Sequence, residues 1–215
     1  MSVQVKICGL SRPDMVEVAI EAGAVYIGLV FYEPSPRNVS LQQAESLAGQ
    51  ARGRARIVAL TVNASDALLR DIARRVRPDF LQAHGEETPG RVREIAELTA
   101  TPVIKAVKVK ESGDVESARD YAGVAEMILF DASAPEALAD ALPGGNGIAF
   151  DWSLLESSQR RRFMLSGGLT IANIADAIRI TGAPAVDVSS GVERAPGIKD
   201  AGLIRKFIEA ARSAG

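Results

Sequence analysis

Eight short apolar runs, most of them with β-branched residues, recur along the chain, at 3–7, 25–31, 56–62, 80–83, 103–109, 127–130, 163–165 and 185–188. Between them lie segments whose apolar residues fall three and four apart, among them 12–21, 41–51, 64–76, 91–98, 171–180 and 201–211. A period of two that repeatedly gives way to one of 3.6 reads as strands alternating with helices. Strands so separated run parallel, because a crossover helix returns the chain to the same sheet edge. Ser11 with Pro13, the stretch from Asn63 to Asp66, and Thr170 ahead of Ala172 fit helix entries. The sixth unit breaks the rhythm: 133–142 is weakly helical and leads into PGGNG, which predicts an irregular excursion.

Eight such units fill the 215 residues without a Pro/Gly/Ser-rich linker, so the expected fold is α/β, a single (βα)8 barrel over 1–215. A doubly wound open sheet is the rival. It normally uses fewer strands and keeps its phosphate loop after the first. The apolar share of 47% and charged share of 24% argue against disorder or a disulfide scaffold. A net charge of −2 with scattered basic residues leaves no electrostatic footprint for nucleic acid or an anionic membrane. The run Arg160 Arg161 Arg162 reads as a solvated face. One cysteine cannot pair internally, and MSVQVK enters a strand without a signal-peptide core. A cytoplasmic protein is expected.

An eight-stranded barrel carries its chemistry at the C-terminal ends of its strands. Strand 1 ends in Cys8, in KICG, where a thiol is either a small buried hydrophobe or a nucleophile or base. After strand 2, YEPSPR holds Arg37 in a stiff two-proline loop over the barrel mouth, where its planar fork suits a carboxylate or phosphate. His84, the only histidine, ends strand 4 and suits a structural or substrate-orienting role better than proton transfer. Asp131 follows four apolar residues at the end of strand 6, where partial burial would let a carboxyl donate a proton. Gly167 and Gly168 follow strand 7, and Ser190 and Gly191 follow strand 8; such loops form the recurrent phosphate cup of these barrels. Gly144, Gly145 and Gly147 could cover the site. No zinc spacing, Walker loop or dinucleotide fingerprint is present, and nothing calls for a metal or other cofactor.

Taken together, KICGL, GLVFYEPSPR, QAHGEE, FDA, PGGNGIAFDW, LSGGLTIANI and VDVSSGVERAPGIKD resemble the signature segments of the phosphoribosylanthranilate isomerase family, in order and over nearly the whole chain. The resemblance implies a (βα)8 barrel and a cofactor-free Amadori rearrangement in tryptophan biosynthesis. N-(5-phosphoribosyl)anthranilate becomes 1-(2-carboxyphenylamino)-1-deoxyribulose 5-phosphate. It implies Cys8 as general base, through a thiolate that a modest electropositive shift would supply, and Asp131 as general acid. Arg37 matches the anchor for the anthranilate carboxylate; Gly167, Gly168, Ser190 and Gly191 match the phosphate loops. Asp187 matches a substrate-positioning aspartate, and His84 is assigned support. The segments depart from the family pattern at Ala83, where QAHG replaces the more usual QLHG, and at Ile148, where many relatives carry lysine.

Two other readings stay open at this point. The same barrel could rearrange the aminoimidazole aminoaldose of histidine biosynthesis, whose related enzymes pair two aspartates, against which Cys8 argues. It could also bind phosphosugars without catalysis. The expected partner is a small phosphosugar, not nucleic acid or membrane, with a monomer favoured over a homodimer.

Overall fold

A computed structural model describes residues 2–132, 144, 149–155 and 163–215. Eight parallel strands close on themselves: β1 (Gln4–Cys8), β2 (Tyr26–Phe31), β3 (Arg56–Thr61), β4 (Phe80–Ala83), β5 (Val103–Val109), β6 (Met127–Ala132), β7 (Phe163–Leu165) and β8 (Ala185–Val188). The seam is made by β8 against β1, with Lys6 opposite Asp187. The helices are α1 (Pro13–Ala22), α2 (Leu41–Ala51), α3 (Asp66–Asp71), α4 (Pro89–Thr99), α5 (Ser112–Ser117), α6 (Ile174–Thr181) and α7 (Ala201–Ser213). After β8 the chain makes a small antiparallel ribbon, β9 (Glu193–Ala195) and β10 (Ile198–Lys199).

Strand alternation sorts the side chains into two cores. On β1, Val5 and Ile7 face outward and join Val16, Leu47, Ile204 and Phe207 beneath the helices. The inward residues stack in layers: Tyr26, Val58, Ile104, Leu129 and Met164 fill the lower barrel, and Cys8, Val30 and Leu60 form the layer above. The barrel is therefore plugged below, and the upper layer is the floor of the C-terminal mouth.

Local chemistry explains most helix starts. Ser40, Ser65, Thr88 and Asp200 each accept a hydrogen bond from a backbone N–H in the first turn. Ser11 does not cap. Arg12 holds the cap position of α1 without a side-chain bond, and Pro13 supplies the preset first turn. α6 begins later than the apolar spacing predicts, because Asn173 ties Thr170 N–H (2.7 Å) and the Gly168 carbonyl (2.9 Å) into a turn first. α3 runs into a π-helical turn, Ile72–Val76, and α5 into a 3₁₀ turn, Ala118–Tyr121; α5 carries too few apolar residues to stand out in sequence. The irregular excursion predicted for 133–142, the glycines Gly145 and Gly147, Ile148 and the Arg160–162 run lie outside the described residues.

Candidate active site

The mouth of the barrel is a cleft of about 760 Å³, its open part included. Cys8, Arg37, His84, Asp131, Gly167, Gly168, Asp187 and Ser190 all line it, so residues 182 positions apart in sequence meet in one site. Gly191 does not reach the cleft. A side chain there would collide with the Leu169 carbonyl, so Gly191 lets the loop after β8 close against the loop after β7.

Cys8 is the last residue of β1, one position beyond the predicted run, and lies opposite Gly28 on β2. A Cβ on Gly28 would stand 2.9 Å from its sulfur, so the glycine makes the room the thiol occupies. Burial pushes the Cys8 pKa up; Lys6 and Lys199 oppose that, while Asp187 adds to it. The electropositive charges that the sequence reading looked for are present, but desolvation outweighs them and favours the thiol.

Asp131 lies within β6, paired with Lys108 on β5, and is buried. Its Oδ1 accepts the Ala132 N–H (3.0 Å), and its Oδ2 lies 3.1 Å from His84 Nε2. The Gln82 amide nitrogen lies 2.7 Å from His84 Nδ1, so the imidazole bridges Gln82 and Asp131 through its two ring nitrogens. His84 thus supports the carboxyl directly. Gly144 presses on this pair: a Cβ there would overlap His84 Nε2 and stand 2.8 Å from Asp131 Oδ2.

Arg37 is not a free guanidinium over the mouth. Its Nε and Nη2 donate to the two oxygens of Glu193, 2.8 Å each, and Lys199 Nζ donates to the same carboxylate (2.7 Å). This leaves Nη1 and the second Nη2 hydrogen as a second fork for a substrate anion. Gly9 makes the arrangement possible. Its φ is 76°, and a Cβ would stand 2.6 Å from Arg37 Cδ.

Sequence reading missed Lys6, Gln82, Glu193, Lys199 and Ser189. Lys199 Nζ also donates to the Ser189 carbonyl (2.9 Å), and Ser189 Oγ donates to the Cys8 carbonyl (3.2 Å), linking the ribbon to β1. The available signal was a lysine inside an apolar alternating run, in VQVKIC, because an unpartnered charge is not placed there.

Two glycine-bearing loops at the ends of β7 and β8 suit a phosphate, and a thiol and a carboxyl facing one space suit proton transfer. That defines the class: a (βα)8-barrel with an acid–base site for a phosphorylated small molecule. The family model for N-(5'-phosphoribosyl)anthranilate (PRA) isomerase matches residues 5–210. The N-(5'-phosphoribosyl)anthranilate isomerase of Rhodopseudomonas palustris (strain BisA53) is 54% identical over 214 residues, covering 99% of this chain and 97% of its own. The crystal structure of phosphoribosyl anthranilate isomerase from Thermotoga maritima is 37% identical, with a TM-score of 0.88 over 98% of this chain and 99% of that one. Another isomerase structure, in complex with reduced 1-(O-carboxyphenylamino)-1-deoxyribulose 5-phosphate, is 36% identical with a TM-score of 0.85 over the same shares. The chain belongs to the phosphoribosylanthranilate isomerase family.

Proposed function

We propose that this chain carries out the Amadori rearrangement of its family in tryptophan biosynthesis, converting N-(5'-phosphoribosyl)anthranilate to 1-(2-carboxyphenylamino)-1-deoxyribulose 5-phosphate, with Asp131 as acid and Cys8 as base. The observation that carries it is the convergence of Cys8 and Asp131 on one cleft that Gly167, Gly168, Ser190 and Arg37 also line. Gly191 acts behind the phosphate loop rather than in it.

The substrate brings a phosphate and a carboxylate into the cleft, and their negative charge favours proton uptake there. Asp131 passes its proton to the furanose oxygen; the C1–O bond breaks and the nitrogen lone pair forms an iminium. That cation reverses the balance at Cys8, because a positive charge beside the sulfur favours thiolate over thiol, and the thiol proton leaves to solvent. The sulfur takes the C2 proton, and the electron pair left behind neutralises the iminium as an enolamine. Protonation at C1 with loss of the 2-hydroxyl proton gives the ketose, and the pair resets through solvent. His84 keeps Asp131 aimed, Arg37 receives the anthranilate carboxylate through its second fork, and Asp187 orients sugar hydroxyls.

The test is loss of substrate fluorescence, with substrate generated in situ from anthranilate and phosphoribosyl pyrophosphate. Cys8→Ser and Asp131→Asn each lower kcat by at least about 100-fold, the low end for a lost general acid or base. Near-normal turnover in either variant removes that residue from the mechanism.

Residues 1–215 act as one catalytic domain in the cytoplasm, without a cofactor. No helix among the described residues is long and apolar enough to cross a membrane. A monomer is favoured because, among the described residues, Ile198 alone is a large exposed hydrophobic.

A further inference from the structure

The proton transfers above make no use of Lys6, which has no solvent exposure. It lies two residues before Cys8 on β1, so both side chains enter the barrel, while Val5 and Ile7 pack outward. Its Nζ donates to Asp187 Oδ1 at 2.9 Å, across the β1–β8 seam. Burial works against the charge on Lys6, yet Asp187 and Cys8 together outweigh it, and its pKa is raised. An ion pair in a barrel interior is costly to desolvate, and apolar residues of similar volume often serve the fold as well or better. The pair therefore calls for a reason beyond packing.

We propose that Lys6 is a positioning residue for the base: its ammonium, held in place by Asp187, is the resident counter-charge that lets the Cys8 sulfur become anionic inside the barrel. This rests on the reading of Cys8 as the base. The charges acting on that sulfur come from three elements: Lys6 on β1, Asp187 on β8 and Lys199 on β10. From β2 it lies opposite Gly28 and packs in one layer with Val30, neither of them charged, and His84 and Asp131 look into the same cleft from the β4 and β6 sides. Of the charges, Lys6 acts most strongly on Cys8 and in the direction of thiolate. Lys6 keeps its own proton throughout. When the C2 proton arrives on sulfur, the ammonium is balanced by Asp187 alone, so no uncompensated charge is left buried.

Cys8 is the only cysteine, so the far-ultraviolet absorbance of thiolate, taken as the difference between each protein and its Cys8→Ser counterpart, reads this one group. In Lys6→Met the Cys8 midpoint moves up by about one pH unit or more, the scale of losing a close opposite charge, leaving roughly tenfold less thiolate at a given pH. kcat falls in step, and its dependence on the base moves to higher pH, with KM little changed. Should Lys6→Met fail to fold, Lys6→Met with Asp187→Asn replaces the pair by neutral groups; the midpoint still rises, by less, because the opposing carboxylate is gone too. Superimposable titration curves in either variant overturn the role of Lys6. Retained turnover in Cys8→Ser instead overturns the base assignment, and this role with it.

Discussion

Glu193 is the keystone of the Arg37 corner, and Glu193→Gln measures how much rests on it. Its carboxylate accepts two hydrogen bonds from Arg37 and one from Lys199, and all three side chains are at most 7% exposed. Burial alone would raise the Glu193 pKa, yet the Arg37 hydrogen bond and the Lys199 charge win and lower it. Removing the charge leaves two buried cations facing each other, and the amide NH₂ of glutamine can only donate toward donors. Breaking a buried pair from one side costs roughly 3 kcal/mol or more. For a domain of this size that lowers Tm by about 6 to 12 °C at neutral pH. The loss has a pH signature. Lys199 is already held below the ordinary lysine value by burial, with Glu193 opposing, so losing Glu193 lowers it further. Between that lowered value and the wild-type one, the variant's folded state has shed a proton that both the wild-type fold and the unfolded chain keep. Stability of the variant therefore recovers relative to wild type as pH rises through the alkaline range below 10.5, the ordinary lysine value. Thermal unfolding followed by circular dichroism at several pH values checks both statements, and substrate titration shows KM raised as Arg37 loosens. A Glu193→Gln protein that melts with the wild type at neutral pH refutes the reasoning.

Gly144→Ala places a methyl against His84 Nε2 and Asp131 Oδ2 and lowers kcat by at least about tenfold, since displacements near 1 Å in a catalytic group cost up to about 100-fold; unchanged kcat would show that nothing is held there. Lys105→Met removes the ammonium that donates to the Gly85 carbonyl (2.6 Å) and to Glu87 (3.0 Å), behind the loop that carries His84. Unpairing buried Glu87 costs about 3 to 5 kcal/mol, read by denaturant unfolding, and kcat falls more than KM changes as the His84–Asp131 contact loosens.

What could be read in the sequence followed its periodicity. Eight strands were visible because each is a short apolar run, and the inner face was set by parity: Lys6, Cys8, Gln82, Asp131 and Asp187 fall on inward positions of their strands, and His84 follows β4 on the same parity. Strand-end placement therefore named the groups that the barrel brings to its mouth. α5 was missed because it buries one apolar residue, Val115, and is held by a capping box between Glu111 and Asp114 rather than by an amphipathic face. What was invisible was pairing. Nothing in VERAPGIKD says that Glu193 turns back to hold Arg37, because that contact depends on a two-stranded ribbon whose partner, Lys199, comes six residues later.

The same limit explains the thiol. The family resemblance implied a thiol that a modest electropositive shift would ionise, yet closure of the barrel buries it to 4% exposure. Closure also sets Lys6 and Asp187 face to face across the seam, so one folding event raises the cost of the thiolate and supplies its counter-charge. On the proposed mechanism, burial keeps the sulfur as thiol until the iminium forms beside it and favours its thiolate. In the mechanism proposed, the substrate's own cation completes the electrostatics, so ionisation of the sulfur is tied to the step that needs it.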